Sequence, residues 1–396
     1  MSALGSTWRS IWRFHRVLAG ILVLEYAFTF AVVLATSGML VTRVAGMNQD
    51  SGVDEHGLYV VRGTGTDQPV HRSQLLEAAD RFRALAGPGQ VSLGSSVPFY
   101  GTGAQLMPIS APDDASRTVP LQGYAYQGDA DFATVLGLRL RQGRRFQADD
   151  IALRFGESGH VILLSASLAQ RLFRGEPAVG KQVRVAHQLY TVIGVTNPLE
   201  APAYMGAVQS GSTFLLPEFP SDDALLLVRY TGPVAELNRV THDLNKADAG
   251  KARWGFAPYS RIRTAYFATD RQAVAALAVV MGVVLVIALC GILGLTNYWV
   301  SRRRRQIATR RALGASKQDI LRHFLFESGL LVAAGLALGL LFDLAYSATF
   351  GHVYLDFGPT MLLLSVALML LLAGAVVSLS LQRWLRMHPV ELMRSI

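Results

Sequence analysis

The stretch VAALAVVMGVVLVIALCGILGLTNYW, residues 274–299, is followed after one valine by SRRRRQIATRRALGASKQDI, residues 301–320. The first stretch has no charged residue over a length with which an α-helix crosses about 30 Å of hydrocarbon. The second places six arginines and one lysine in twenty positions. Such a cluster is typical of a nucleic-acid site, of the flank of a membrane helix, and of a docking site for a partner protein. The rest of the sequence decides among these three uses.

Three further stretches have the same length and apolar character. Of the 396 residues, 51% are hydrophobic and only 16% are charged, which is apolar for a soluble protein. The alternative of four very apolar core helices in a soluble protein fits this composition poorly. We therefore predict an α-helical membrane protein with four transmembrane helices, at residues 17–41, 274–299, 324–350 and 361–381.

The first apolar stretch follows three arginines, Arg9, Arg13 and Arg16, as the apolar part of a signal peptide does. It is too long for a signal peptide, and no convincing cleavage site of small residues follows it. The sequence predicts that it stays in the protein as a membrane anchor.

The basic residues are concentrated near the ends of the predicted spans. Residues 1–16, 300–323 and 382–396 together carry fourteen Lys or Arg against two acids, whereas residues 42–273 carry 23 against 22. Because Lys and Arg stay on the cytoplasmic side of a membrane protein, both termini and residues 300–323 are predicted to be cytoplasmic. Residues 42–273 then form a large extracytoplasmic domain, and residues 351–360 a short loop on the same side. Basicity thus reports topology, and we predict no nucleic-acid partner.

The extracytoplasmic domain begins and ends with the same pattern. A strand-like segment, an amphipathic helix pattern and a second strand-like segment occupy residues 58–97, and the same order recurs at residues 224–260. Residues 118–217 between them consist of short apolar segments separated by Gly and Pro. The predicted fold is a large α/β domain made of two β-α-β units with an inserted, mostly-β lobe at 118–217.

Catalytic chemistry finds little support in the sequence. The histidines lack metal-ligand spacing, and the serines lack a G-x-S-x-G elbow, so we expect no metal and no catalytic residue. The single cysteine, Cys290, lies in the second span and gives the extracytoplasmic domain no disulfide. No G-x-x-x-x-G-K-[ST] motif occurs, which means that this stretch of sequence has no P-loop for ATP.

The segment WVSRRRRQIATRRALGASKQDILRHFLFESGLL, from Trp299, resembles the basic signature of the MacB/FtsX-like permease family of ABC transporters. The end, MHPVELMRSI, is similar to the terminal motif of that family, and the segments from DFATVLGLRLRQGRRF to YTVIGV resemble its periplasmic core domain. The likeness covers about residues 118–396; the first 115 residues resemble the family mainly in architecture.

The resemblance implies a permease subunit in the bacterial inner membrane, working as a dimer with an identical or paralogous permease. ATP and Mg²⁺ would be bound by a cytoplasmic ABC ATPase subunit, so this chain would not itself be an enzyme and would hold no cofactor. ATP-driven movement of the spans would be transmitted to the extracytoplasmic domain, an arrangement called mechanotransmission, for export or extraction. The implied partners are the ATPase, the second permease and membrane lipids, and a periplasmic adaptor stays open.

The same resemblance assigns the contact with the ATPase to the basic segment. A short helix within residues 302–320 would place arginines at the lipid headgroups and a docking side toward the ATPase, and Ser316 would cap the helix that follows. The predicted coupling residues are Arg302, Arg305, Ile307, Arg310, Arg311, Ala312, Leu313, Gly314 and Ala315.

Five residues inside the spans are predicted to pack helices or to place polar groups in the membrane. Glu25 either contacts substrate or a proton, or makes a hydrogen bond across a helix interface, which we favour. Glu327 is expected to be structural and to pair with a nearby arginine, and Asp343 to face water near the outer end of its span. Gly335 and Gly339 form a G-x-x-x-G motif that permits close packing of helices.

Two other functions fit the same architecture. A signalling permease of the FtsX-like kind would activate a periplasmic partner without transport, and a receptor or scaffold would bind a ligand with no ATPase at all. The substrate, the choice between homodimer and heterodimer, and the role of Glu25 are not encoded in any motif that we recognise.

Overall fold

The fold comes from a computed structural model that describes residues 16–65, 70–100, 105–112, 120–151, 160–201, 211–219, 224–248, 251–302, 309, 316–350 and 359–385. The chain divides into two compact units. The helical unit combines residues 1–48 with residues 269–396, and the globular unit comprises residues 49–268.

Four long helices make up the described part of the helical unit, each long and apolar enough to span a membrane. Each extends past the apolar stretch from which its span was predicted, because the helix continues into polar residues. Their bounds are α1 (Arg16–Met47), α7 (Ala268–Arg302), α8 (Lys317–Phe350) and α9 (Pro359–Leu385). The predicted segment 300–323 is therefore partly helical: α7 runs to Arg302, and α8 already begins at Lys317.

Helix α1 lies at the centre of the described bundle and packs mainly against α8 and α9. The core of this bundle holds Tyr26, Phe30 and Leu34 of α1, with Val332 of α8 and Met369 of α9. Helix α7 is the least buried of the four, with 11% of its most apolar window inside the unit. The α1–α8 pair is thus the best-packed contact of the helical unit.

One lobe of the globular unit is a four-stranded sheet covered by two helices. Its elements are β1 (Leu58–Gly65), α2 (Arg72–Ala86), β2 (Val91–Gly94), β10 (Leu225–Arg229), α5 (Val234–Ala247) and β11 (Ala252–Pro258). The strand order is β11-β1-β10-β2, with all neighbours antiparallel. The two predicted β-α-β units therefore interleave: the two strands of each unit are separated in the sheet by one strand of the other unit, which is a split arrangement. Phe82 of α2 and Leu237 of α5 fill the core between helices and sheet.

The second lobe is a seven-stranded sheet in the order β5-β8-β6-β9-β4-β3-β7, and pairing of β7 with β8 closes six of the strands into a barrel. Short helix α3 (Phe132–Val135) follows β4. Helix α4 (Ala166–Phe173) follows β6 and contributes Leu172 to the barrel core beside Tyr190 and Phe214. The strands are β3 (Gln105–Ser110), β4 (Leu121–Gln127), β5 (Leu140–Gly143), β6 (Val161–Ser165), β7 (Gln182–Val185), β8 (Gln188–Thr196) and β9 (Thr213–Leu216).

The predicted start of the inserted lobe at residue 118 was wrong. Strand β3 precedes it and belongs to the barrel, where it pairs with β4 and β7. Pro108 in the middle of β3 obscures the strand pattern, because proline cannot donate a ladder hydrogen bond. A final short helix, α6 (Tyr259–Tyr266), ends the globular unit.

Candidate coupling site and its connections

The predicted coupling residues lie mostly outside the residues that the structure describes. Arg302 is described at the end of α7, where its guanidinium donates hydrogen bonds of 2.8 and 3.1 Å to the Tyr298 hydroxyl. The others, Arg305, Ile307, Arg310, Arg311, Ala312, Leu313, Gly314 and Ala315, lie outside the described ranges. The structure therefore defines what flanks the coupling segment on both sides.

The start of α8 is fixed by a reciprocal cap. The Ser316 hydroxyl accepts a hydrogen bond from the Asp319 backbone N–H at 3.1 Å, and the Asp319 carboxylate accepts one from the Ser316 N–H at 3.2 Å. This is the geometry of a capping box, with Asp where Glu or Gln is more common. The prediction that Ser316 caps the helix beginning at Lys317 is confirmed.

An aromatic contact joins the two helix ends that flank the segment. Trp299 of α7 and Phe324 of α8 are both buried, and their rings meet edge to face with centroids 5.5 Å apart. Ile320 and, from α9, Val377 complete this cluster. The cluster, which the sequence analysis missed, holds the ends of α7 and α8 together, so a force on the intervening segment reaches both helices.

Both glycines of the G-x-x-x-G motif in α8 face α1. A Cβ on Gly335 would lie 2.5 Å from Tyr26 Cβ and 3.0 Å from the Val23 carbonyl oxygen. A Cβ on Gly339 would lie 2.6 Å from the Ala27 carbonyl oxygen and 3.0 Å from the Phe30 ring. Since real Cβ contacts are never this short, the two backbones approach to a distance that only glycine allows.

Glu25 of α1 lies against α7 at another glycine. Its carboxylate occupies the space that a side chain at Gly291 would fill, and one of its oxygens, Oε2, is buried without a hydrogen-bond partner among the described residues. We had favoured a hydrogen bond from Glu25 across the helix interface, and Oε2 does not make one with a described residue. An ion pair between Arg43 of α1 and Asp270 of α7 supplies a second polar link between these helices.

The other two acids of the spans are both buried in the helical unit. Glu327 is 2% exposed. Asp343 is 4% exposed, and its Oδ2 has no partner among the described residues. The expectation that Asp343 faces water was wrong, because the side chain lies in an apolar groove between α1 and α8 with a volume of about 690 Å³. Phe28 and Met39 of α1 and Phe342 of α8 contribute to its walls.

In the globular unit, a polar joint connects the two lobes. Arg229, at the end of β10, donates to the Val135 carbonyl oxygen from Nε at 3.0 Å and from Nη2 at 2.7 Å, and its Nη1 lies 3.1 Å from the Asp54 carboxylate. Val135 ends α3, which follows barrel strand β4 and packs against β2 and β10. One arginine of the α/β lobe thus holds the first element after a barrel strand.

A partly buried carboxylate makes the second contact of this joint. Asp129, just after β4, accepts hydrogen bonds from the Ser92 hydroxyl at 2.6 Å and from the Leu93 N–H at 2.9 Å, both on β2. Burial raises the pKa of Asp129, while these hydrogen bonds act in the opposite direction. Since Arg229 and Asp129 lie 100 positions apart in the chain, no local motif pointed to this joint.

The contacts of this region join helices and lobes to one another. Among the described residues, no group of three His, Cys, Asp or Glu side chains could hold a metal ion. Four helices long and apolar enough to span a membrane, with a two-lobe globular unit inserted in the sequence between α1 and α7, are the architecture of a multi-pass membrane protein with one large domain outside the bundle.

Comparison with known families agrees with this class. Residues 26–244 match the MacB-like periplasmic core domain, and residues 278–389 match the FtsX-like permease C-terminal domain. The first match alone covers more than half of the chain. The chain belongs to the MacB/FtsX-like family of ABC transporter permeases.

Individual relatives are distant. The chain is 23% identical over 265 residues to the macrolide export ATP-binding/permease protein MacB of Neisseria meningitidis serogroup A, which covers 65% of this chain and 40% of that protein. It is 23% identical over 329 residues to the protein of the same name from Mannheimia succiniciproducens, covering 78% of this chain and 47% of the relative. The chain thus spans less than half the length of these curated relatives.

Solved structures show a distant similarity to the chain. The periplasmic region of MacB from Actinobacillus actinomycetemcomitans is 14% identical with a TM-score of 0.36, covering 56% of this chain and 97% of that one. The extracellular domain of the noncanonic ABC-type transporter YknZ from Gram-positive bacteria is 17% identical with a TM-score of 0.32, covering 50% and 99%.

Proposed function

We propose that this chain is the permease subunit of an ABC transporter in the bacterial inner membrane, with both termini and the basic segment in the cytoplasm. A partner ABC ATPase binds ATP and Mg²⁺, and a second permease, identical or paralogous, completes the complex. The chain itself acts without catalytic residues or cofactors. The match to the FtsX-like permease C-terminal domain and the match to the MacB-like periplasmic core domain support this assignment.

One observation carries the proposal: the helices that flank the coupling segment pack against each other, and one of them packs closely against α1. The Ser316 cap begins α8 directly after the segment, and Trp299 and Phe324 clamp α8 to α7. Gly335 and Gly339 then fix α8 to α1 at backbone distance. A push on the segment by the ATPase therefore moves α8 and α1 together.

Helix α1 is the element that would carry this movement outward. It ends at Met47, two residues before the globular unit begins at Gln49. Because an α-helix is stiff along its axis, a displacement of α1 pulls or tilts the start of that unit. Conformational change of the globular unit, driven from the cytoplasm, is the mechanotransmission that we assign to this protein, for export or extraction of a substrate.

The first test is the composition of the complex. We expect native mass spectrometry of the complex, purified in mild detergent through a tag on this chain, to show two permease chains with two ATPase chains. The permease masses would separate a homodimer from a heterodimer. A complex without an ATPase, under conditions that preserve related complexes, would favour a receptor or scaffold and contradict the proposal.

The second test addresses the coupling segment. We expect the double charge reversal R310E/R311E to abolish stimulation of the ATPase by the permease, because the docking side would then repel an acidic partner surface. The matched control is R139E/R141E, which reverses two exposed arginines at β5. Unchanged ATPase binding and stimulation in R310E/R311E would show that the docking site is elsewhere.

A further inference from the structure

A concave site of about 390 Å³ lies on the α/β lobe, on the β1–β11 part of its sheet. Arg62 and Thr64 of β1, Arg253 and Gly255 of β11, Tyr100 and Ile262 line it. The volume falls within the range of roughly 300–1,000 Å³ that small-molecule pockets occupy. No role of this site follows from the coupling path described above.

The register of the two strands brings both arginines to one face of the sheet. Arg62 is opposite Gly255, and Thr64 is opposite Arg253. Because side chains alternate between faces with a period of two, Arg62, Thr64, Arg253 and Gly255 all project to the same side. The two arginines are diagonal neighbours across the strand pair, a spacing within reach of long side chains.

The positive charge of this site is not neutralised by the residues that line it. None of the described lining residues is acidic, and neither arginine forms an ion pair with a described residue. Arg62 donates a long hydrogen bond of 3.5 Å to the Tyr100 hydroxyl. By contrast, Arg229 and Arg263 of the same unit are paired with carboxylates. Within the described part of the chain, two like charges therefore share one concavity without a counterion.

Gly255 is the second, independent sign of a ligand. Other strand glycines have a structural reason: a Cβ at Gly63 would lie 3.0 Å from the Trp254 ring, and one at Gly123 would lie 3.1 Å from the Phe214 ring. At Gly255 a Cβ would meet nothing within 4 Å, and the backbone does not have the positive φ that favours glycine. Glycine inside a strand costs stability and often marks the close approach of a ligand.

We propose that this concavity is a binding site for an organic oxyanion, a phosphate or carboxylate group attached to a small carbon skeleton. The Arg62 and Arg253 guanidiniums hold the anionic oxygens, since the planar fork of arginine matches carboxylate and phosphate geometry. The missing side chain at Gly255 leaves room for the anion between them, and Val60, Ala257 and Ile262 provide apolar contacts for the skeleton. The oxyanion is either a free solute or the headgroup of an anionic lipid.

The site can be tested with two probes on the full chain in nanodiscs of zwitterionic lipid. Isothermal titration calorimetry with glycerol 3-phosphate and with citrate should give saturable binding to the wild-type protein. We expect R62Q/R253Q to weaken binding by about tenfold or more, because it removes both charge-assisted contacts. G255V, which fills the floor and keeps both arginines, should weaken binding similarly. R184Q, which removes an exposed arginine of β7, is the control and should bind as wild type does.

The source of the anion is distinguished by repeating the titration in nanodiscs that contain phosphatidylglycerol. Competition by this lipid, seen as weaker binding of glycerol 3-phosphate to wild type, identifies a lipid headgroup, and unchanged binding identifies a free solute. Absence of saturable binding to wild type would overturn the proposal. Equal weakening by R184Q and R62Q/R253Q, or unchanged binding to G255V, would also overturn it, because either result reduces the site to general attraction by positive charge.

Discussion

The contact between α1 and α8 in the helical unit is made at two glycines, whereas the contact between the lobes of the globular unit is made by an arginine and a partly buried carboxylate. At Gly335 and Gly339 the two helix backbones meet in close van der Waals packing. At Arg229 and Asp129 the lobes are held by directed hydrogen bonds that include charged groups. The first contact depends on shape and the second on charge.

This difference matches the tasks that we propose for the two regions. A contact that transmits force must not slip, and close packing of backbones allows one arrangement only. A contact between lobes that change their relative position must break and re-form at small cost, which suits a few polar bonds at the edge of the unit. Asp54, the carboxylate partner of Arg229, is more than half exposed, so water can replace it.

The largest expected effect is loss of the glycine contact. G335A and G339A should each destabilise the helical unit by about 1–3 kcal/mol, since the added methyl group overpacks the α1–α8 interface. Unfolding of the reconstituted protein in mixed micelles measures this, and stimulation of the ATPase should fall in parallel.

The same helix provides a matched control for the glycine substitutions. A Cβ on Gly329 of α8 would meet nothing within 4 Å, so G329A should be neutral or stabilising by up to about 1 kcal/mol. If G335A and G339A were as well tolerated as G329A, the α1–α8 pair would not be a rigid connection, and the comparison with the lobe joint would fail.

Removal of the arginine at the lobe joint should have the next largest effect. We expect R229A to destabilise the globular unit by roughly 1–2 kcal/mol, because it removes several hydrogen bonds from a charged donor and leaves the Val135 carbonyl without them. Hydrogen exchange on the full chain should show faster exchange at residues 132–136.

Lysine at the same position sharpens this test. R229K keeps the charge but not the planar fork, so its effect should lie between those of wild type and R229A. Equal exchange in wild type and R229A would mean that the lobes are held by their apolar contacts alone.

A smaller effect is expected at the start of α8. S316A removes the cap and should destabilise the first turn of the helix by about 1 kcal/mol, seen as faster hydrogen exchange at residues 317–320. S316D, which can accept the same hydrogen bond, is the control and should leave exchange unchanged. Loss of ATPase stimulation in S316A with the helix bundle intact would indicate that the cap transmits force to α8. Normal stimulation would limit the rigid connection to the part of α8 at the glycines.

Local patterns in the sequence predicted much of this structure, and long-range contacts lay beyond them. The strands and helices of the α/β lobe follow from hydrophobic periodicity, whereas their interleaved order does not, and the Ser316 cap follows from four consecutive residues. Strand β3 was missed because Pro108 breaks its pattern. The contacts of Arg229 with Val135 and of Glu25 with Gly291 join residues far apart in the chain, so no local spacing encodes them.

Titration of Asp129 should have the smallest effect on stability. It tests most directly whether the contact between the lobes depends on charge. Burial raises the pKa of Asp129 above its ordinary value of 3.8, so protonation favours the folded state. Its contribution to stability is fully present below that value and is lost as the pH rises through the raised pKa. The free energy of unfolding of wild type, relative to D129N, should therefore fall with rising pH, with a slope of at most about 1.4 kcal/mol per pH unit for one proton.

Asp150 provides the opposite case, because the Arg144 guanidinium lowers the pKa of that carboxyl. Relative to D150N, wild type should lose stability as the pH falls through the lowered pKa. Denaturation of the globular unit within the full chain, followed from about pH 3 to about pH 7, measures both slopes, because aspartates titrate in this region. Slopes of the same sign for Asp129 and Asp150 would contradict the assignment of Asp129 as a partly buried acid of the lobe joint.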